Sequence, residues 1–340
     1  MVRYGNLIEK IADADNIMYA VIKAYRGKMR KKEVRDMLVS DVYDFCSKLS
    51  EEFLSGSVKF GNYRYFKVYE PKERDICASI LSERIAQHAI MNVCGEIFDN
   101  FQISDSYACR KGFGQYAGLE RACYFHRRNK WYLKLDVRKC FDSVSHDILK
   151  ELIAHKIKDK VLLNVLGNII DTYHSSLSTE DVKRGLPIGN LTSQYFANHY
   201  LAVSDHYIKE QLGVKCFVRY MDDMILWDND KKRLLDNGKK IGEFLKNHLS
   251  LHLKEICHHN TRFGLPFLGY RVLHSGDTKV RLLLTPNSKK RFIKRVREYK
   301  GNLNAGLWDE KEYMQHLLPA TSFALKADAL GLVLKTINEN

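Results

Sequence analysis

Apolar residues recur at helical spacing from Asn6 to Tyr25, where Leu7, Ile8, Ile11, Met18, Val21, Ile22 and Tyr25 share a face. The pattern predicts one helix capped by Asn6. Ser40 to Leu54 repeats it, capped by Ser40 and stopped near Gly56, with a basic loop from Arg26 to Lys32 between the two. The period then changes. Tyr63 to Tyr69 is aromatic and β-branched, and Pro71 with Lys72-Glu73-Arg74-Asp75 follows, predicting a hairpin that carries Lys72 and Arg74. Ser82 to Ile97 is the next amphipathic helix, then comes a glycine-rich basic loop from Asp105 to Gly118 and a helix ending near Arg128. Trp131 to Leu135 reads as a short strand that delivers Asp136, followed by a helix capped by Ser145 and another reaching about Tyr173. A glycine-proline loop from Arg184 to Gln194 leads into a long helix ending near Leu212. Cys216 to Trp227 is apolar and β-prone on both sides of Asp222-Asp223. A helix over Lys231 to Leu249, a strand near Leu251 to Cys257 and a strand from Phe267 to Val272 come next; Gly269 inside the last marks close backbone approach.

From Thr285 the pattern alters again. Lys289, Lys290, Arg291, Lys294, Arg295, Arg297 and Lys300 alternate with Phe292, Ile293, Val296 and Tyr299, giving a helix with one apolar and one cationic face. Two further helices finish the sequence. The expected division is 1–60, 61–284 and 285–340, with no internal repeat.

Composition sharpens the picture. The 340 residues exceed a typical single domain, and 45% hydrophobic content is enough for a sizeable core. Lys and Arg total 55 against 41 Asp and Glu, a net charge of +14 that suits a polyanionic partner, nucleic acid first. The eight cysteines form no CxxC pair, which argues against a zinc knuckle or a disulfide scaffold and for a reduced, cytoplasmic setting. No stretch approaches the roughly 18 apolar residues of a membrane span, so no membrane partner is expected.

Adjacent carboxylates in an apolar strand pair repel each other and resist desolvation. Asp222 and Asp223 therefore mark either a simple Asp-Asp turn or a mount for a divalent cation. Asp136, at the end of its own strand, is the third carboxylate that decides for the cation. Three carboxylates on neighbouring strands suit two Mg²⁺ ions, with Mn²⁺ able to substitute. Asp142 is expected to cap a helix or pair with a cation. Arg110 and Lys111 beside Gly112 suit either a phosphate contact or an exposed turn. Lys150, Lys156, Lys158 and Lys160 read as a solvated face.

These residues resemble the reverse transcriptase family. Tyr220-Met221-Asp222-Asp223 matches its YxDD box, Asp136 to Phe141 its DxxxxF/Y box, Leu186-Pro187-Ile188-Gly189 with Ser193 its glycine loop, and Phe267-Leu268-Gly269-Tyr270 its primer-grip strand, in family order. The resemblance spans about Val68 to Tyr270. It implies an α+β right-hand polymerase, with an N-terminal helical extension (1–60), fingers and palm (61–284) and a helical thumb (285–340). Asp136, Asp222 and Asp223 would be catalytic and, with the Val137 carbonyl, would hold the metals. Phe141 would gate the sugar, and Lys72, Arg74, Ile188, Gly189, Gln194 and Lys254 would meet the incoming dNTP, Lys254 also protonating pyrophosphate. Arg110, Lys111, Tyr220, Met221, Leu268, Gly269, Tyr270, Lys290, Lys294 and Arg297 would contact template and primer.

Ile188 and Gln194 depart from the retroviral loop, in which Gln precedes the Gly and Pro follows the Ser. With Phe196-Ala197-Asn198, this loop is most similar to the reverse transcriptases of bacterial or phage diversity-generating retroelements. That likeness implies error-prone copying of a template RNA into cDNA and a small basic oligomeric accessory protein. Retron-like or abortive-infection enzymes, a template-independent transferase and a non-catalytic nucleic-acid-binding module are the alternatives. Neither an RNase H-like domain nor a Cys/His-rich endonuclease tail is read within the sequence.

Overall fold

The structure, a computed structural model, describes residues 3–27, 42–69, 73–254, 256–275 and 279–338. Ser40, Lys72 and residues 28–32 of the basic loop lie outside them. The N-terminal region forms α1 (Ile8–Ala12), α2 (Ala14–Tyr25) and α3 (Val42–Ser55). The single expected helix is therefore broken. Asp13 leaves helical geometry, and its carboxylate accepts from the backbone N–H groups of Asp15 and Asn16 at 3.0 and 3.1 Å, a short polar side chain competing with the helix ladder. Asn6 is not the cap either: its φ is 54°, and the N–H groups of Leu7 and Ile8 go to Asp159 at 2.9 and 3.0 Å.

β1 (Tyr63–Val68) and β2 (Arg74–Ser79) form an antiparallel hairpin, followed by α4 (Leu81–Asn100) and α5 (Gln115–His126). The central sheet contains β3 (Trp131–Asp136), β4 (Phe217–Tyr220), β5 (Asp223–Asp228) and β6 (Cys257–Asn260), in the order β4-β5-β3-β6. Between β3 and β4 run α6 (Cys140–Ser143), α7 (His146–Ala154), α8 (Lys160–Asp171) and α9 (Leu191–His206), the last continued by a π-helical turn to Gln211. α10 (Lys231–Leu249) follows β5.

The sheet is covered on both faces, which explains the unbroken apolar run around the aspartates. Successive strand residues point to opposite sides. Leu133, Leu135, Met224 and Leu226 join a core with Phe196, Tyr200, Ile241 and Leu245, and that core also takes in the N-terminal helices. Tyr132, Ile225 and Trp227 join a second core with Leu119, Phe125 and Phe267.

The predicted strand near Leu251 to Cys257 is only an isolated bridge, Val137 with Leu253, and the ladder resumes at β6. Phe267 to Val272 is likewise not one strand. β7 (Leu265–Phe267) and β8 (Tyr270–Ser275) are joined by a turn at Leu268-Gly269, and β9 (Lys279–Leu284) completes that sheet. Thr285 caps α11 (Pro286–Asn304), which packs with α12 (Glu310–Leu325) and α13 (Leu330–Asn338) around a third core of Phe292, Val296, Leu317, Ala324 and Val333. No helix among the described residues is long and apolar enough to cross a membrane.

Candidate active site

Strand register brings the aspartates together. Asp136 at the end of β3 is paired directly with Asp223 at the start of β5, and β4 and β5 are joined through Met221 and Asp222. Burial is the main cause that raises the Asp222 carboxyl above its ordinary range, and repulsion from Asp223 and Asp136 adds to it. The Leu251–Lys254 segment flanks Asp136. Arg138 N–H donates to His252 O and Lys254 N–H to Asp136 O, each at 2.8 Å. The Val137–Leu253 bridge uses neither polar group of Val137, so by the geometry of an antiparallel pair the Val137 carbonyl faces the aspartate hairpin.

Two lysines lie on these carboxylates. Lys254 Nζ is 2.8 and 2.9 Å from the two Asp136 oxygens, and Lys134 Nζ is 3.0 Å from Asp223. The ion pair with Asp136 raises the Lys254 pKa, keeping it a charged donor. Among the described residues no three His, Cys, Asp or Glu side chains converge tightly enough to hold an ion as they stand. The donor set nevertheless fits one: three carboxylates and a carbonyl are hard oxygen ligands, two of the carboxylates sit on register-paired positions, and their mutual repulsion calls for positive charge.

That repulsion has a thermodynamic sign. A carboxyl whose folded pKa is raised contributes stability that is present below its unfolded pKa and lost as pH rises through the folded value. Asp222→Asn is therefore expected to raise the thermal midpoint of metal-free protein at pH 8 by about 2 °C, the scale of a sub-kcal/mol to 1 kcal/mol gain in a chain of this size. The gain should vanish near pH 3, and thermal unfolding with EDTA measures both; a midpoint lowered at pH 8 would contradict the electrostatic account.

The glycine loop is fastened to the β1–β2 hairpin. Cys77 N–H donates to Ile188 O at 2.8 Å, and Gly189, with φ of 130°, leaves only 3.0 Å between a would-be Cβ and both Cys77 O and Ile76 Cγ2. Only glycine fits that approach without strain. Arg74 lies on the same face of β2 as Ile76, exposed and two residues from this contact. Phe141 is half-buried and accepts from Leu186 N–H at 2.8 Å, so its backbone is tied to the loop. Gln194 is exposed on the first turn of α9.

Several expectations need correction. Arg110 is spent inside the protein: its side chain is 9% exposed, pairs with Asp99 at 2.6 Å and donates to the carbonyls of Ile103 and Ser106. It cannot serve a phosphate without breaking these bonds, whereas Lys111 is exposed. Tyr270 is fully buried and its hydroxyl donates to Phe323 O at 2.8 Å, and a Cβ at Gly269 would come within 2.9 Å of Phe323 Cζ. The close approach expected at Gly269 is made by Phe323 of α12 and by Ser288 of α11, whose Oγ would lie 3.0 Å from that Cβ. Leu268 O accepts from Gln115 Nε2 at 2.8 Å. Asp142 lies inside the one-turn α6 with neither a cap bond nor an ion pair among the described residues, and Ser145 precedes α7 without a side-chain cap bond. Lys150 pairs with Asp171 and Lys156 lies over the Phe101 ring, so this face is partly engaged. Tyr220 and Met221 are half-buried, while Lys290, Lys294 and Arg297 are exposed along α11.

The sequence reading missed the support behind the hairpin. Arg219 is fully buried on β4. Its Nε–H donates to both Asp205 oxygens at 2.8 Å, one terminal nitrogen to Asn198 Oδ1 at 2.9 Å and Met221 O at 3.1 Å, and the other to Gln102 Oε1 at 2.9 Å. Met221 has a left-handed φ of 53°, uncommon for a side chain of its size. A lone Arg in a run buried on both faces was the available signal. The loop's anchor was also missed: Asn190 accepts from Ser79 N–H and Oγ–H, and Gln87 donates to Ser79 Oγ, all buried.

A palm sheet with paired aspartates at one end, a hairpin of fingers and a basic helical tail define a right-hand nucleic-acid polymerase fold. Two solved telomerases share it: apo telomerase from Candida tropicalis (TM-score 0.52, 14% identity, 83% of this chain and 60% of that one) and telomerase from Candida albicans in complex with a telomeric RNA fragment (TM-score 0.50, 12% identity, 85% and 67%). The reverse transcriptase (RNA-dependent DNA polymerase) family model matches residues 61–272, and the chain belongs to that family. Similar curated proteins include the putative COX1/OXI3 intron 1 protein of Saccharomyces cerevisiae, 24% identical over 62% of this chain and 26% of its own length. The group II intron-encoded protein LtrA of Lactococcus lactis is 24% identical over 50% of this chain and 29% of its own. The chain thus spans well under half of these relatives.

Proposed function

We propose that the chain is an RNA-directed DNA polymerase that extends a primer along an RNA template with dNTPs. The observation that carries this reading is the pairing of Asp136 with Asp223 beside Asp222, in a member of the reverse transcriptase family. Asp136, Asp222, Asp223 and the Val137 carbonyl would hold two Mg²⁺ ions. Such ions supply activation of the primer 3′-hydroxyl and neutralisation of the pyrophosphate. Lys254, protonated beside Asp136, is a donor for the leaving group. Arg74, with Lys72, binds the triphosphate; Phe141 excludes a 2′-hydroxyl; and Lys290, Lys294 and Arg297 follow the duplex backbone, making binding steeply salt-dependent.

Extension of a DNA primer annealed to RNA, with dNTPs and Mg²⁺, tests this directly. Templated product is expected. Binding without extension would instead mean a nucleic-acid-binding module, and untemplated addition a terminal transferase.

Within this activity we infer a diversity-generating retroelement enzyme, supported by the loop Leu186-Pro187-Ile188-Gly189-Asn190. Ile188 lacks the hydrogen bonds a Gln would offer the incoming base, which loosens base choice. Ile188→Gln is expected to lower misincorporation opposite template adenine by several-fold, scored by sequencing the cDNA. An unchanged error spectrum removes the argument. The same reading expects a structured RNA and a small basic protein to accompany the chain, and purification from its host lacking both would count against it.

A further inference from the structure

At the end of the palm sheet remote from the aspartates, a cleft of about 600 Å³ is lined by Arg127, Arg128, Lys130, Arg262 and His274 among asparagines. We propose that it is a second RNA site, which grips the phosphodiester backbone of a folded RNA segment outside the primed stretch. This rests on the polymerase reading only for which RNA is offered. The cleft floor is where β3, β5 and β6 meet at Trp131, Asp228 and Asn260, five residues along β3 from Asp136, or about 17 Å at ~3.3 Å per residue. A nucleotide at the aspartates does not reach it.

The rim is built rather than incidental. Lys130 N–H donates to Asn229 Oδ1 and Arg262 N–H to Asn260 Oδ1, each at 3.0 Å, while Thr261 Oγ–H donates to Asn129 O at 2.8 Å. These bonds fix the two backbone segments that carry the cations, 127–130 and 260–262. Arg127 and Arg128 follow α5, and Arg128 stacks over the Tyr124 ring at 3.8 Å, which extends its guanidinium without using its donors. Cations are favoured at a helix C-terminus by the peptide dipoles, which accounts for Arg127 and Arg128 with no ligand. It does not account for Lys130, which lies beyond the last turn, nor for Arg262, which belongs to another segment.

Nor is the charge cancelled nearby. The adjoining carboxylates are engaged elsewhere: Asp228 holds Arg233 at 2.6 Å, and Asp230 caps α10. Among the described residues none of the four cations is in an ion pair. The His274 ring lies tilted, 5.2 Å from that of His126, whose own nitrogens are engaged by Thr261 O and by Trp227 Nε1–H. Four like charges around a roomy cleft call for an extended polyanion with several acceptor oxygens. Arginines and amides on a fixed rim suit phosphodiester oxygens.

The test uses the triple variant Arg128→Gln, Lys130→Gln and Arg262→Gln, all on exposed side chains that leave the core untouched. Transfer RNA, a compact folded RNA, serves as probe, beside a short RNA template annealed to a DNA primer. The variant is expected to bind transfer RNA about tenfold more weakly and to lower the slope of log affinity against log salt by about 2, at ~0.7 per phosphate contact. Extension of the short template-primer should stay unchanged. Equal transfer RNA affinity and slope in both proteins would overturn the proposal, as would a parallel loss of extension, which would put the cleft on the polymerisation track. Intact RNA binding with loss of a co-purifying acidic protein would also overturn it. Failure of the wild-type chain to extend any primer would remove the polymerase reading and leave the binding result to be judged alone.

Discussion

Asp223→Asn is expected to reduce primer extension on the order of 10³-fold while leaving the fold and template-primer binding in place. Asparagine keeps the shape of the side chain and deletes only its charge. That charge is one of three carboxylates proposed to hold the metals at the end of the β3–β5 ladder, where Asp223 faces Asp136 in direct register. Losing about 4 kcal/mol of transition-state charge stabilisation at 1.36 kcal/mol per tenfold gives three powers of ten. The loss should fall on kcat with little change in KM, since the interaction strengthens as charge develops on the reacting oxygens. Asp136→Asn is expected to behave alike. Asp142→Asn should stay within a few-fold of wild type, because Asp142 lies in α6, off the β3–β5 ladder. Single-turnover extension with Mg²⁺, paired with filter binding of the template-primer, measures both. An Asp223→Asn protein within tenfold of wild type would refute the assignment of the hairpin as the catalytic centre.

The order of elements was legible because the code for it is local. Periodicity placed β3, β5 and the helices that cover them, and turn chemistry placed Asp222 at the hairpin tip. What escaped was set by partners far away in sequence. The kink at Asp13 is a case where a capping side chain outcompetes helix periodicity, and the sequence Ala-Asp-Ala-Asp-Asn carried its signature. Arg110 looked like a phosphate contact because nothing in its own neighbourhood reveals that Asp99, at the end of the preceding helix, turns back onto it. Tyr270 was assigned to the primer because motif position says nothing of α12, which contributes Phe323 to its hydroxyl. Lys134 has no local signal either: its register partner is Ile225, and its contact with Asp223 is a diagonal one across the β3–β5 ladder.

Arg219 shows what such hidden support is worth. Arg219→Met removes a guanidinium that serves Asp205, Asn198, Gln102 and Met221 at once, and strands the Asp205 carboxylate, which burial already pushes upward and Arg219 holds down. Breaking one partner from a buried pair costs about 3–5 kcal/mol, so extensive unfolding near 37 °C is the expected first result. Adding Asp205→Leu separates the two roles of the residue. An apolar replacement of both charges restores most of the stability, because the desolvation of two ions is relieved along with the loss of their attraction. It cannot restore the bond to Met221 O, and without that bond the left-handed turn bearing Asp222 loses its anchor on the β4 side. Misplacement of a reacting group by about 1 Å costs about 10²-fold, so the double variant is expected to fold, bind template-primer and extend it about 10- to 100-fold more slowly in kcat, with KM little changed. Arg219→Lys should fall between the two, since an ammonium reaches Asp205 but lacks the fork that spans to the turn. If the double variant regained stability and full kcat together, Arg219 would be a core ion and nothing more; stability restored without kcat makes it the residue that aims the catalytic hairpin.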